Sequence, residues 1–324
     1  METEQGILCL FFTGMDRTFN VLHNTKLMES SESSTRLRSA LNKAALVVPT
    51  AALSVILLYL VIWNLYYSFT DWSLFHSVPQ FVGFLTYAQA MSTLFFRSSF
   101  LHSFELSGGL ILVGNLLGIF LAGLLYFVKS SKLRTVYLSI FIAPLAISMA
   151  VNGVIWLWLF NLQIGIDWLL VRIGLPALPW LSSTATAFPS MFLVTVWAYT
   201  GLAVLFYLAS FMGVDKSLIE AARVDGVGSL RTFFKVLLPN SSQGVIVATA
   251  LLFLFSFKIF SLPFVLSGGP TNVSLQTGVI YMYYLDTTEF FAESTAIATL
   301  VTAIAAAVVI PFALLGLKRW VRRE

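Results

Sequence analysis

Six stretches, near residues 44–68, 105–128, 136–160, 188–212, 244–266 and 295–317, stay apolar for the length that a helix needs to cross a bilayer. A hydrocarbon core of about 30 Å takes about 20 helical residues. Backbone inside lipid must satisfy its own hydrogen bonds, so six such runs predict an all-α integral membrane protein of six transmembrane helices. Composition enters as a check. Of the 324 residues 58% are hydrophobic and 10% charged, and the mean hydropathy is +0.87, more than a soluble core absorbs.

The connections carry the orientation. Lys and Arg gather in the N-terminal segment 1–43 (Arg17, Lys26, Arg36, Arg38, Lys43), between spans two and three (Lys129, Lys132, Arg134), between spans four and five (Lys216, Arg223, Arg231, Lys235) and in the tail 318–324 (Lys318, Arg319, Arg322, Arg323). The other side holds Arg97 and Arg172 against Asp71, Glu105, Asp167, Asp286, Glu289 and Glu293. Cytoplasmic loops are enriched in Lys and Arg, so both termini are expected in the cytoplasm of a multi-pass protein of the cell membrane. The net charge of +4 then reports topology, and no nucleic-acid partner is implied. Within 1–43 the run Ile7 to Phe12 is too short to span; it is either a surface anchor or part of an extension ahead of a start at Met15 or Met28. The external connections, 69–104 and the stretch from Asp167 to Thr186, carry Trp72, Phe75, Phe81, Trp168 and Trp180, and read either as an interfacial aromatic belt or as caps that meet an outside partner.

One polar island, 213–243, is large enough to be a working part. Asp215 is a good N-cap, Leu218, Ile219 and Ala222 share a face at helical spacing, and Gly226 supplies a positive-φ exit behind Asp225. Ser229 can cap a second helical piece, Leu230 to Leu238, which Pro239 follows. Ala221 and Ala222 remove bulk, so another protein can approach closely, while Glu220, Arg223 and Asp225 offer charged hydrogen-bond partners at the rim. The island reads as a docking element.

The sequence Glu220-Ala221-Ala222, two residues, Asp225-Gly226, then Phe234 and Leu238-Pro239 resembles the cytoplasmic coupling loop of type 1 ABC importer permeases of the carbohydrate-uptake family. Similar residues extend to Phe81-Val82-Gly83-Phe84, Tyr87, Pro144, Trp156 to Asn161, Gly165, Trp197 to Gly201 and Ser267-Gly268-Gly269-Pro270, covering roughly 65–317; Gln243 stands where a proline is common. The resemblance implies a permease fold with a coupling helix between spans four and five, and alternating access driven by two separate ATPase subunits that carry the ATP and Mg. It also implies a second, related permease subunit, an external substrate-binding protein and a sugar cargo. No cofactor is expected in this chain.

Inside the spans, Gly114 and Gly118 form a small-xxx-small pair that reads as helix packing. Asn152, Trp197, Tyr199 and Thr200 either face a water-filled sugar pathway or make interhelical contacts. Lys258, placed about 22 Å along a continuous fifth helix, either lines that pathway or snorkels to the interface. No Gly-x-x-x-x-Gly-Lys-Ser/Thr, His-Glu-x-x-His or Gly-x-Ser-x-Gly occurs, Cys9 is the single cysteine, and His23, His76 and His102 are scattered. A chain so equipped is expected to be a transport subunit without its own ATPase site, and neither an enzyme nor a metal protein. A self-contained secondary transporter is the alternative, and it would want intramembrane acids for ion coupling.

Overall fold

The computed structural model describes residue 45 and residues 47–321, with side chains to residue 314. The expectations for 1–43 and for Arg322 and Arg323 lie outside the described residues. The chain divides into two units, residues 1–63 and 64–324. The described part of the first is apolar helix, the start of α1 (Val47–Tyr67). In the second, short α2 (Leu85–Ser92) precedes α3 (Leu94–Phe127), α4 (Ser131–Ala146), α5 (Met149–Leu159), α6 (Ile166–Arg172), α7 (Thr184–Met212) and α8 (Lys216–Val224). An irregular segment 229–240 leads into α9 (Ser242–Phe257), and α10 (Ser261–Ser267), α11 (Gly278–Thr287) and α12 (Phe291–Val321) complete it. Among the described residues five helical stretches are long and apolar enough to cross a membrane, and six when the bent pair α4–α5 counts as one.

The core is built on α7, with 72% of its apolar window buried. Glycine decides how close its neighbours come. A Cβ on Gly118 would lie 2.5 Å from that of Ala203, and one on Gly109 would lie 2.6 Å from the Phe192 ring. Both contacts advance together along the chain, so α3 and α7 run parallel and end at the same face of the bundle. Asn115 ties three helices: its Nδ2 donates to Thr249 Oγ1 at 3.1 Å, and its Oδ1 accepts from the Tyr207 hydroxyl at 2.8 Å. Three polar groups are thereby satisfied within the apolar core.

Two spans depart from the unbroken helices that hydropathy suggests. The expected span 136–160 is broken: α4 starts at Ser131 on a Ser130 cap, ends at Ala146, and α5 turns away by 95°. Pro144 near the break lacks an N–H and crowds the preceding turn, and Ile147 and Ser148 are extended. The fifth span breaks after Phe257 and resumes at Ser261. Pro263 cannot donate to Ile259, whose carbonyl instead accepts from Thr277 Oγ1 at 3.1 Å. Hydropathy sums see neither break, because apart from Lys258 the residues involved are apolar or small and one lysine does not lower the sum enough. At the other end of the scale, α3 begins at Leu94 on a Thr93 cap, so 94–104, expected in an interfacial connection, are its first three turns.

Candidate functional site

The docking island folds from local signals. Asp215 Oδ1 accepts from Ser217 N at 2.9 Å, and this backbone donation, followed by the Ser217 hydroxyl, holds the Asp215 carboxyl below its ordinary value of 3.8. At the other end of α8, Gly226 takes φ +71°. Gly226 N donates to Arg223 O and Val227 N to Ala222 O, at 3.0 and 2.9 Å, the crossed pair of a Schellman cap that satisfies the last carbonyls. The helix leaves Glu220, Ala221, Arg223 and Asp225 exposed. Val224 at 88%, Leu230 at 76% and Phe234 at 57% exposure add apolar area beside those charges.

Two expectations for the island change. Ala222, expected to face a partner, is 6% exposed and turned into the chain itself, while Ala221 presents the small outward surface. A nine-residue helix has one outward stripe, and the Ile219 side that seats it on the bundle carries Ala222 inward with it. The second piece is no plain helix capped by Ser229. Gly228 precedes it, Ser229 is its first residue, a π-helical turn Phe233–Leu237 follows, and Pro239 lies inside the final turn Leu238–Asn240. A π turn widens the helix, so Leu238 N reaches Phe233 O and the missing Pro239 donor costs no regular i to i−4 bond. This turn buries Phe233 against Phe211 of α7, ring centroids 5.5 Å apart. The same ring fills the space beside Gly123 of α3, where a Cβ would come within 2.7 Å. Ser210 near the end of α7 donates to Ser241 O and accepts from Gly244 N. The island is therefore keyed into α3, α7 and α9.

Of the five pathway candidates, the structure brings two together. Tyr199 and Lys258 line a cavity of about 350 Å³ with Met149, Phe255, Phe260 and Ser261. Tyr199 stacks on Phe255, centroids 5.7 Å apart and planes 11° from parallel. Lys258 is not part of a continuous helix; it is the C-cap residue of α9 at the break. Asn152 is fully buried and donates to Pro144 O at 2.8 Å, closing the α4–α5 break. Thr200 Oγ1 donates to Val196 O within its own helix, and Trp197 meets Trp156 edge to face at 5.5 Å. Met149, Phe255, Phe260 and Ser261 were missed; the Leu262-Pro263 step was the one signal that the fifth span breaks beside them.

At the end of the bundle away from α8, the 69–93 connection is pinned to the start of α12 by Leu74 N to Glu289 O and Ala292 N to Trp72 O. A second cavity of about 350 Å³ lies there, lined by Asp71, Trp72, His76, Gln89 and Glu293 among others. In the other connection, Trp180 folds inward, stacked on Phe160 and donating to buried Asp167. Among the described residues no group of three or more His, Cys, Asp or Glu is arranged to hold a metal ion.

A family profile described as binding-protein-dependent transport system inner membrane component matches residues 114–323. The glucose import system permease protein GlcT of Saccharolobus solfataricus is 61% identical over 86% of this chain and 97% of its own length. The xylose/arabinose import permease protein XacH of Haloferax volcanii is 31% identical over 70% of this chain and 72% of its own. A bacterial ABC transporter involved in import of the acidic polysaccharide alginate has a chain that superposes with TM-score 0.74 at 21% identity, covering 87% of this chain and 99% of that one, a likeness of fold. With its apolar spans, its exposed α8 and this profile match, the chain belongs to the binding-protein-dependent transport system inner membrane components, the permease subunits of ABC importers.

Proposed function

We propose that this chain is one of two permease subunits in an ATP-driven sugar importer, with a monosaccharide cargo and glucose the first to test. The 61% identity to a glucose import permease supports the cargo. The observation that carries the coupling half is α8 itself, capped at both ends, exposing Glu220, Ala221, Arg223 and Val224, and keyed through Phe233 into α3 and α7. A motor that grips the exposed stripe would move two spans through one buried ring. The Lys and Arg distribution supports placing α8 and both termini in the cytoplasm, within reach of two ATPase subunits that bind ATP and Mg. Leu238 and Pro239, which follow the π turn, would carry that motion toward α9.

In this reading the cavity at Tyr199 and Lys258 belongs to the sugar passage. Aromatic faces suit the apolar side of a pyranose, while the Lys258 ammonium and the hydroxyls of Tyr199 and Ser261 can bond its hydroxyl groups. Asn152, Trp197 and Thr200 would serve as scaffold. The opposite end, with its aromatic and acidic cavity, is where an external sugar-binding protein would deliver cargo. The test is ATP-dependent glucose uptake into liposomes holding the whole complex with its binding protein. Uptake by this chain alone along an ion gradient, without ATP, would contradict the proposal and favour a secondary transporter.

A further inference from the structure

Lys258 is the only charged side chain among the described residues that line its cavity, and no carboxylate is among them. Its position explains how it is held. As the C-cap of α9 it stands at the negative end of a sixteen-residue helix, where free carbonyls favour a cation without a counter-ion. Its N–H meets Leu254 O, so the backbone is anchored while the side chain remains exposed to the cavity. Apart from the Ser261 hydroxyl and that of Tyr199, the walls are aromatic and aliphatic: Phe255, Phe260, Met149 and the Tyr199 ring. A positive charge held between low-dielectric walls, offset only in part by the helix end, projects its field across the opening.

A cavity that opens to the two sides in turn and admits a hexose also admits protons and inorganic cations, which each transport cycle would carry down the membrane potential. We infer that Lys258 is the charge filter of this passage: its ammonium bars cations while an uncharged, polyhydroxylated solute passes and hydrogen-bonds to it. Fixed positive groups exclude protons and cations from other narrow pathways by the same electrostatic barrier. The inference rests on the reading of this cavity as part of the sugar passage.

The experiment uses the complete importer in liposomes that contain a pH-sensitive dye and carry an imposed inside-negative potential. During ATP-driven sugar uptake, wild type and Lys258→Arg should stay proton-tight, whereas Lys258→Met and Lys258→Glu should leak at rates at least about tenfold higher, the Glu variant more than the Met. Tight Lys258→Met and Lys258→Glu complexes that still turn over ATP would overturn the filter. Ser261→Trp, which fills the cavity while Lys258 stays, separates the two claims: unimpaired sugar uptake in it removes the cavity from the passage, whereas blocked uptake with tight Lys258 variants removes only the filter. A second readout needs no turnover. With Cys9 replaced by Ser and Ser261→Cys introduced, an anionic methanethiosulfonate should label this chain faster than a cationic one, and Lys258→Met should cut that preference several-fold; an unchanged preference would count against the filter.

Discussion

The α8 island and the Lys258 cavity are built from opposite kinds of information. Every group that shapes α8 lies within the thirteen residues from Asp215 to Val227: an acidic cap, a crossed glycine cap, a stripe of exposed charge. The cavity draws its walls from Met149, Tyr199, Phe255 and Ser261, which four separate helical segments bring together. Glycine shows the difference most directly. A Cβ on Gly226 would meet nothing within 4 Å, and only its φ of +71° demands glycine. Gly201 needs glycine for space alone, since a Cβ there would lie 1.9 Å from the Phe141 carbonyl oxygen of α4. Short sequence motifs can state the first requirement; the second exists only after α4 and α7 have met.

The largest expected effect is therefore on the cavity side. Gly201→Ala should cost about 3 kcal/mol, because the obstructing atom is backbone and cannot rotate away. Thermal unfolding of the purified complex and its yield are the readouts; wild-type values for both would mean that α4 and α7 do not pack as closely as described.

On the α8 side the corresponding changes should leave the fold intact and strike attachment of the ATPase. Glu220→Ala removes a charged acceptor, about 1.5–3 kcal/mol of binding where its bond is well formed. Ala221→Trp should weaken attachment as well, with insertion and melting unchanged. Ala222→Trp should instead lower stability, since position 222 is buried in this chain. If ATPase pull-down and melting respond alike to tryptophan at 221 and at 222, the assignment of inward and outward faces is wrong.

Gly226→Val should cost about 1–3 kcal/mol in the local cap, through backbone strain. Gly226→Asn should recover much of it, because Asn tolerates the left-handed region. ATP turnover driven by sugar is the measure, and equal turnover in Val and Asn variants would remove the conformational argument.

The smallest effect belongs to Asp215. Its folded carboxyl is held below the ordinary value of 3.8, so its capping contribution is complete above that value and is lost as pH falls through the lower folded one. The protection factor of Ser217 N against hydrogen exchange, corrected for the intrinsic base-catalysed rate, should fall in Asp215→Ala at neutral pH and should stay constant between pH 6 and 8 in wild type. A change within that window would assign the cap to another group.

These contrasts explain what could be read in advance. The apolar runs located the spans because spanning length is a local property of composition. Asp215, Gly226 and the exposed Glu220 were legible because caps act over three or four residues. The breaks at Ile147 and Lys258 were not, because an apolar run hides them and their freed carbonyls find donors at Asn152 and at Thr277. Lys258 stands out in the sequence as a charge in a span, yet its company of Tyr199 and Phe255 depends on how α7 and α9 lie together. The small size of Ala221 and Ala222 suggests a close approach by a partner, but size alone does not say which of two adjacent alanines the bundle covers, and Ala222 lies on the Ile219 side.

The central claim, that α8 is the handle by which separate ATPases drive this permease, is tested most directly at position 221. In a chain whose Cys9 has been replaced by Ser and which carries Ala221→Cys, a bifunctional maleimide applied to membrane vesicles should link this chain to an ATPase subunit. A membrane-impermeant maleimide should reach the same cysteine only after the cells are permeabilised. Labelling of position 221 from outside intact cells, together with no ATPase adduct, would contradict both the side of the membrane assigned to α8 and its role.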